Sequence, residues 1–216
     1  MVMMNILGNK NLLAIQWDCK VLEEIWFPTQ LCFWIGGQKI GNYEDTLQLY
    51  CYITRLENFL LYENLRYHPF LFNRSKEDIF NHVCQRAYCF IVNTEKDKHD
   101  IEFMDIQPFD QYFLEEEYQR WLSHVFTIGD MFFPSLRGYD IMLINEPLNN
   151  IQRLIWLDKT QSIFTLHEYA LSIGYFERIA WEFLQKSIDF LNANGYDISY
   201  FDEEREQDWY GKFRKK

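Results

Sequence analysis

The sequence predicts an α+β fold, a mostly antiparallel sheet packed by two or three helices, and three observations carry that expectation. Residues from Leu13 onward alternate with period two, two stretches recur at helical spacing, and several β-rich runs are divided by short turns. No linker separates these pieces and no segment repeats, so residues 1–216 read as a single domain with a charged tail, 201–216, that frays.

The elements follow in chain order. Leu13, Ile15, Trp17, Cys19 and Val21 fall on one face of a strand and Ala14, Gln16, Asp18 and Lys20 on the other, which predicts one buried face. Leu31–Ile35 is a continuous apolar strand, and Trp34 within it is expected in the core. Gly36-Gly37 then supplies a hairpin turn into Gln38–Ile40, with a second stop at Gly41-Asn42. From Glu44 to Glu63 the period changes, with Leu49, Tyr52, Ile53, Leu56 and Leu60 at three- and four-residue steps, so a helix is expected. Another helix opens at Ser75, whose hydroxyl caps it while Asp78 stands three residues on, and Ile79, Phe80, Val83 and Cys84 form its buried side.

Tyr88–Val92 and Ile101–Ile106 read as a hairpin around the polar stretch 93–100, whereas 107–136 carries no clear period. Strand signals return at Tyr139–Asn145, Arg153–Leu157 and Ser162–His167. Phe176, Ile179, Ala180, Phe183, Leu184, Ile188 and Leu191 then define a last helix, Tyr175–Asn192, which Asn194-Gly195 closes.

Composition bounds the function. Aromatics make up 19% of the chain, and each can hide roughly 150–250 Å² when enclosed, so a large core is within reach. Lys and Arg total 21 against 32 Asp and Glu, a formal charge of −11. That field repels phosphate backbones, which argues against a nucleic-acid partner, and favours encounter with a basic one. No apolar run is long enough for a membrane span, and the start of the chain has no signal-peptide pattern. Five cysteines, odd in number and set in apolar stretches, point to reduced thiols in a cytosol.

Catalytic and cofactor motifs are missing. The five histidines stand too far apart for a His-Glu-x-x-His pair, Cys84 and Cys89 have no second pair to complete a zinc site, and no metal or other cofactor is expected. No Gly-x-Ser-x-Gly elbow or Walker loop occurs. Asp18-Cys19-Lys20 matches half of a nuclease motif, but no acid precedes it to share a metal. An enzyme would need a non-local site, for which His124, Asp140 and His167 are the candidates, and an adaptor that dimerises through its aromatics is a further alternative. The acidic runs Glu115-Glu116-Glu117 and Asp202-Glu203-Glu204, with Trp209 and Tyr210 in the tail, are the candidate partner-binding residues.

One resemblance names a family. Ile6–Trp17, followed by Leu31-Cys-Phe-Trp-Ile-Gly-Gly-Gln-Lys-Ile-Gly-Asn42, resembles the opening of the immunity protein 42 family, and Arg153-Leu-Ile-Trp156 and Gly174-Tyr-Phe176 look similar too. Asn9 stands where the family has an acid as often. The resemblance implies a non-enzymatic inhibitor that binds a cognate bacterial toxin in the cytosol within a polymorphic or contact-dependent toxin system, and the chain is expected to be a monomer or a weak dimer. It assigns no toxin-contact residue.

Overall fold

The computed structural model describes residues 5–22, 27–63, 66–67, 71–88, 90–92, 101–103, 127–129 and 133–196. The N-terminal alternation becomes an antiparallel sheet of β1 (Asn5–Asn9), β2 (Leu13–Cys19), β3 (Pro28–Ile35), β4 (Gln38–Ile40) and β5 (Thr46–Gln48). The order is β1-β2-β3-β4, and β5 lies on the same side of β3 as β4, pairing with its first residues. Gly36 and Gly37 have φ of 57° and 84°, so the β3–β4 turn is of the type that needs positive φ at both central positions.

Two expectations fail in this sheet. Both faces of β2 are buried, because Gln16 and Asp18 are each only 4% exposed and Ala14 is fully enclosed. The polar side is covered by its neighbours: Trp34 lies opposite Ala14 on β3 and donates Nε1–H to Gln16 Oε1 at 2.9 Å. Trp34 is therefore half-buried on the side away from Phe33 and Ile35, and it takes no part in the main core. Strand alternation sends adjacent residues to opposite faces, and here it overrides the continuous apolar run.

The predicted helix from Glu44 starts later. Thr46–Gln48 are drawn into β5, the Phe27 N–H donates to Gln48 Oε1 at 2.9 Å, and α1 runs over Leu49–Leu61. Leu49, Tyr52, Ile53, Leu56, Phe59 and Leu60 form its buried face. Helix α2 (Lys76–Tyr88) opens as expected, with the Asp78 N–H donating to Ser75 Oγ at 3.1 Å. The short ladder of β6 (Phe90–Val92) and β7 (Ile101–Phe103) matches the expected hairpin partners.

A second antiparallel sheet follows, in the order β11-β10-β9-β8, from β8 (Thr127–Gly129), β9 (Tyr139–Glu146), β10 (Ile151–Asp158) and β11 (Thr165–Ser172). Strand β11 lies further along than the predicted Ser162–His167. Asp158 Oδ1 accepts from the Thr160 N–H and hydroxyl, which makes the preceding residues a turn, and pairing then runs to Ser172 opposite Ile151.

This sheet has two covered faces. Ile141, Leu143, Leu154, Trp156 and Leu171 join a core shared with the first sheet, α1 and the last helix, α3 (Tyr175–Ala193). Met142, Ile144, Ile155, Leu157 and Leu166 pack against Ile79, Phe80, Val83 and Cys84 of α2. Burial on both sides explains why β9 and β10 read as nearly continuous apolar runs. Helix α3 ends as the sequence predicts: Gly195 takes φ 76°, the Tyr196 N–H returns to the Leu191 carbonyl at 3.0 Å, and the Gly195 N–H donates to the Asn192 carbonyl at 3.1 Å.

Candidate functional site

A buried polar centre sits where the segment after α1, the second sheet and the start of α3 converge. The Asn145 N–H donates to the Arg66 carbonyl at 2.9 Å, which lays residues 66–67 beside β9. The Arg66 side chain is fully enclosed, with its guanidinium 3.7 Å from the centre of the Phe59 ring. Nη1 donates to Glu177 Oε1 at 2.7 Å, and Nη2 donates to the Phe59 carbonyl. Gln152 is also fully buried. Its amide N–H groups reach Glu177 at 3.0 Å and Asn145 Oδ1 at 2.9 Å, and its carbonyl accepts the Phe176 N–H at 3.3 Å.

Burial drives the Arg66 pKa down to about 10, partly offset by the carboxylates of Glu177 and Glu63, so the guanidinium is charged at neutral pH. Desolvation, with the nearby Glu177 charge adding to it, raises the pKa of Glu63. The centre is a satisfied network: each buried charge meets an opposite charge or a hydrogen-bonding group, the condition under which buried ions are tolerated. Glu177 occupies the helix N-terminus, where the backbone dipole favours a carboxylate.

The residues nominated for a non-local catalytic site do not converge. Asp140 shares its face of the second sheet with Leu157 and Leu166, against α2, and pairs with Lys159 at 2.9 Å. His167 lies opposite Trp156 on the other face, its ring stacked on the indole at 5.2 Å. One intervening strand and opposite directions thus separate Asp140 from His167, and His124 lies outside the described residues. The thiols of half-buried Cys19 and buried Cys32 and Cys84 are poor nucleophiles at neutral pH, because desolvation pushes Cys19 and Cys32 up to about 11 and Cys84 well above its ordinary value. Among the described residues no three His, Cys, Asp or Glu side chains are grouped to hold a metal ion, and no helix is long and apolar enough to cross a membrane.

The partner-binding candidates Glu115, Glu116, Glu117, Asp202, Glu203, Glu204, Trp209 and Tyr210 all lie outside the described residues. On the described surface, the outer side of α3 stands apart. The Arg178 guanidinium carbon lies 4.7 Å from the centre of the Tyr175 ring, and Trp181, one turn further on, is 48% exposed. The other tryptophans with described side chains are occupied: Trp17 and Trp156 are 3% exposed, and the ring of Trp34 lies beneath the Lys10 ammonium at 3.9 Å.

Sequence reasoning placed the apolar stripe of α3 correctly but missed two of its residues. Glu177 falls on that stripe with Ala180 and Leu184, so a carboxylate at a core position was the available signal for a buried pair. Trp181 falls off the stripe, the corresponding signal for an exposed indole.

The described residues define an α+β protein of two antiparallel sheets sharing a core with two helices, centred on a buried Arg–Glu pair. The family model of immunity protein 42 matches residues 3–186, and the chain belongs to that family. Among solved structures it is similar to the crystal structure of CdiI from Burkholderia dolosa, with a TM-score of 0.55 and 20% identity over 84% of this chain and 99% of that chain. At that identity the likeness shows a shared fold. No curated relative matches the chain.

Proposed function

We propose that this chain is a non-enzymatic immunity protein that binds a cognate toxin in the cytosol and neutralises it. The family match over residues 3–186 carries this reading. Two features of the chain support it. The polar groups at the centre of the fold bond to one another, and Asp140 and His167 face opposite sides of a sheet, an arrangement suited to a rigid scaffold whose surface does the work.

The formal charge of −11 supports a basic toxin, since complementary fields raise association rates by about 10–10³-fold and fall off with salt. In this reading residues 1–216 act as one domain, monomeric or weakly dimeric, with no nucleic-acid or membrane partner. The runs Glu115–Glu117 and Asp202–Glu204, with Trp209 and Tyr210, supply acidic and aromatic docking groups.

The reading implies a toxin gene immediately upstream of the one for this chain, and the test is co-expression with the protein that gene encodes. The chain is expected to restore growth to cells producing that toxin. Growth arrest that persists although the chain accumulates in folded form would overturn the proposal.

A further inference from the structure

We infer that the outer face of α3, formed by Tyr175, Arg178 and Trp181, is a binding hot spot for the cognate toxin, and that it fits an apolar slot edged by a carboxylate. The inference rests on the immunity reading above and adds the surface and the chemistry that it recognises.

Three observations converge on this face. Trp181 is 48% exposed on a helix whose opposite face is packed into the core through Phe176, Ile179, Ala180, Phe183 and Leu184. Leaving an indole half in water gains little for folding, whereas Trp, Tyr and Arg are the types that dominate binding energy at interfaces. Arg178 stands three residues before Trp181, so the two side chains are neighbours along one helical row. Contact with the Tyr175 ring restrains the guanidinium and limits the entropy it loses when it meets a partner.

Charge bookkeeping on the helix singles out the same residue. Glu177 is bonded to Arg66 and Gln152, Glu182 pairs with Lys186 at 3.2 Å, and Asp189 accepts from Gln185 at 2.9 Å. Arg178 alone among the charged side chains of α3 lacks a polar partner among the described residues. It also sits in the first turn, where the helix dipole disfavours a cation, so its position works slightly against helix stability. A cation with no carboxylate partner among the described residues, held against a ring beside an open indole, is arranged to receive a carboxylate from outside. The planar fork reads that group in a bidentate geometry, while the indole enters the adjoining apolar slot. A toxin variant lacking that carboxylate would be rejected, which gives the surface a means of discriminating partners.

The experiment measures the affinity of the full chain for the purified toxin from the adjacent upstream gene, with thermal melting as a control for folding. Trp181→Ala is expected to weaken binding about 30-fold or more while melting stays near the wild-type value. Arg178→Glu is expected to weaken it comparably, and Arg178→Lys should fall between wild type and Arg178→Glu, because it retains the charge without the fork. Ile163→Ser alters an apolar residue, 62% exposed, beyond the opposite end of β10, and is expected to leave affinity unchanged. Wild-type binding with Trp181→Ala and Arg178→Glu both within about threefold of it would overturn the α3 assignment alone. Failure of the wild-type chain to bind would remove the toxin reading, and this surface with it.

Discussion

Removing one member of the Arg66–Glu177 pair tests what joins the segment after α1, the second sheet and the start of α3. Glu177→Ala deletes the acceptor for Arg66 Nη1 and for Gln152, and takes from a fully enclosed guanidinium the carboxylate it bonds at 2.7 Å. Breaking a buried pair from one side costs about 3–5 kcal/mol, because the surviving charge stays buried without its closest partner. Domains of ordinary stability have about 5–15 kcal/mol in hand, so the variant should be severely weakened. With a urea slope of about 2 kcal/mol per molar, the unfolding midpoint falls by about 1.5–2.5 M. Arg66→Met should behave similarly, and the double variant Arg66→Met with Glu177→Met should recover part of the loss, since no charge then remains buried. Urea unfolding followed by far-UV circular dichroism reads all three. A loss below about 1 kcal/mol for either single variant would refute the argument that this pair organises the junction.

Other consequences are smaller but specific. Gly36→Ala places a Cβ 2.6 Å from the Tyr169 ring at a φ of 57°, so it should cost about 2–4 kcal/mol from backbone strain and overpacking together, read as a lowered melting temperature. Cys32 and Cys84 should resist a thiol reagent at neutral pH until denaturant is added, since burial raises both; rapid labelling of either in the folded chain would contradict their placement. Glu63 has a folded-state pKa raised above its unfolded value, so its penalty is absent below the unfolded value near 4.5 and grows as pH rises through the folded one. Glu63→Gln should therefore stabilise the chain at neutral pH, by on the order of a few tenths of a kcal/mol after solvent screening, and not below about pH 4. Equal stabilisation at both pH values would show that Glu63 does not titrate as described.

Local signals in the sequence located most of the described elements. The Ser75 cap, the paired glycines at 36–37 and the Asn194-Gly195 stop each specify a backbone geometry through one or two residues, and all three form as expected. Strand β1 was not delimited, because only Leu7 of its five residues is buried and Gly8 and Asn9 carry no strand preference. Thr46–Gln48 join a strand instead of the helix because the edge of β3 offers pairing partners that helical periodicity cannot reveal.

The candidate site was less legible than the fold. Arg66 and Glu177 are 111 residues apart, and nothing in either neighbourhood names the other. Pairing of that kind is decided by the topology that brings β9, β10 and the two helices together. Gln16 and Asp18 look solvent-facing because alternation reports polarity, not coverage, and Trp34 covers that side from the next strand.

A titration of the purified toxin from the adjacent upstream gene with the purified chain tests the central claim most directly. A one-to-one complex of about nanomolar affinity or tighter is expected, with toxicity lost in proportion to the complex formed. A folded chain that neither binds that toxin nor reduces its activity at any ratio would contradict it.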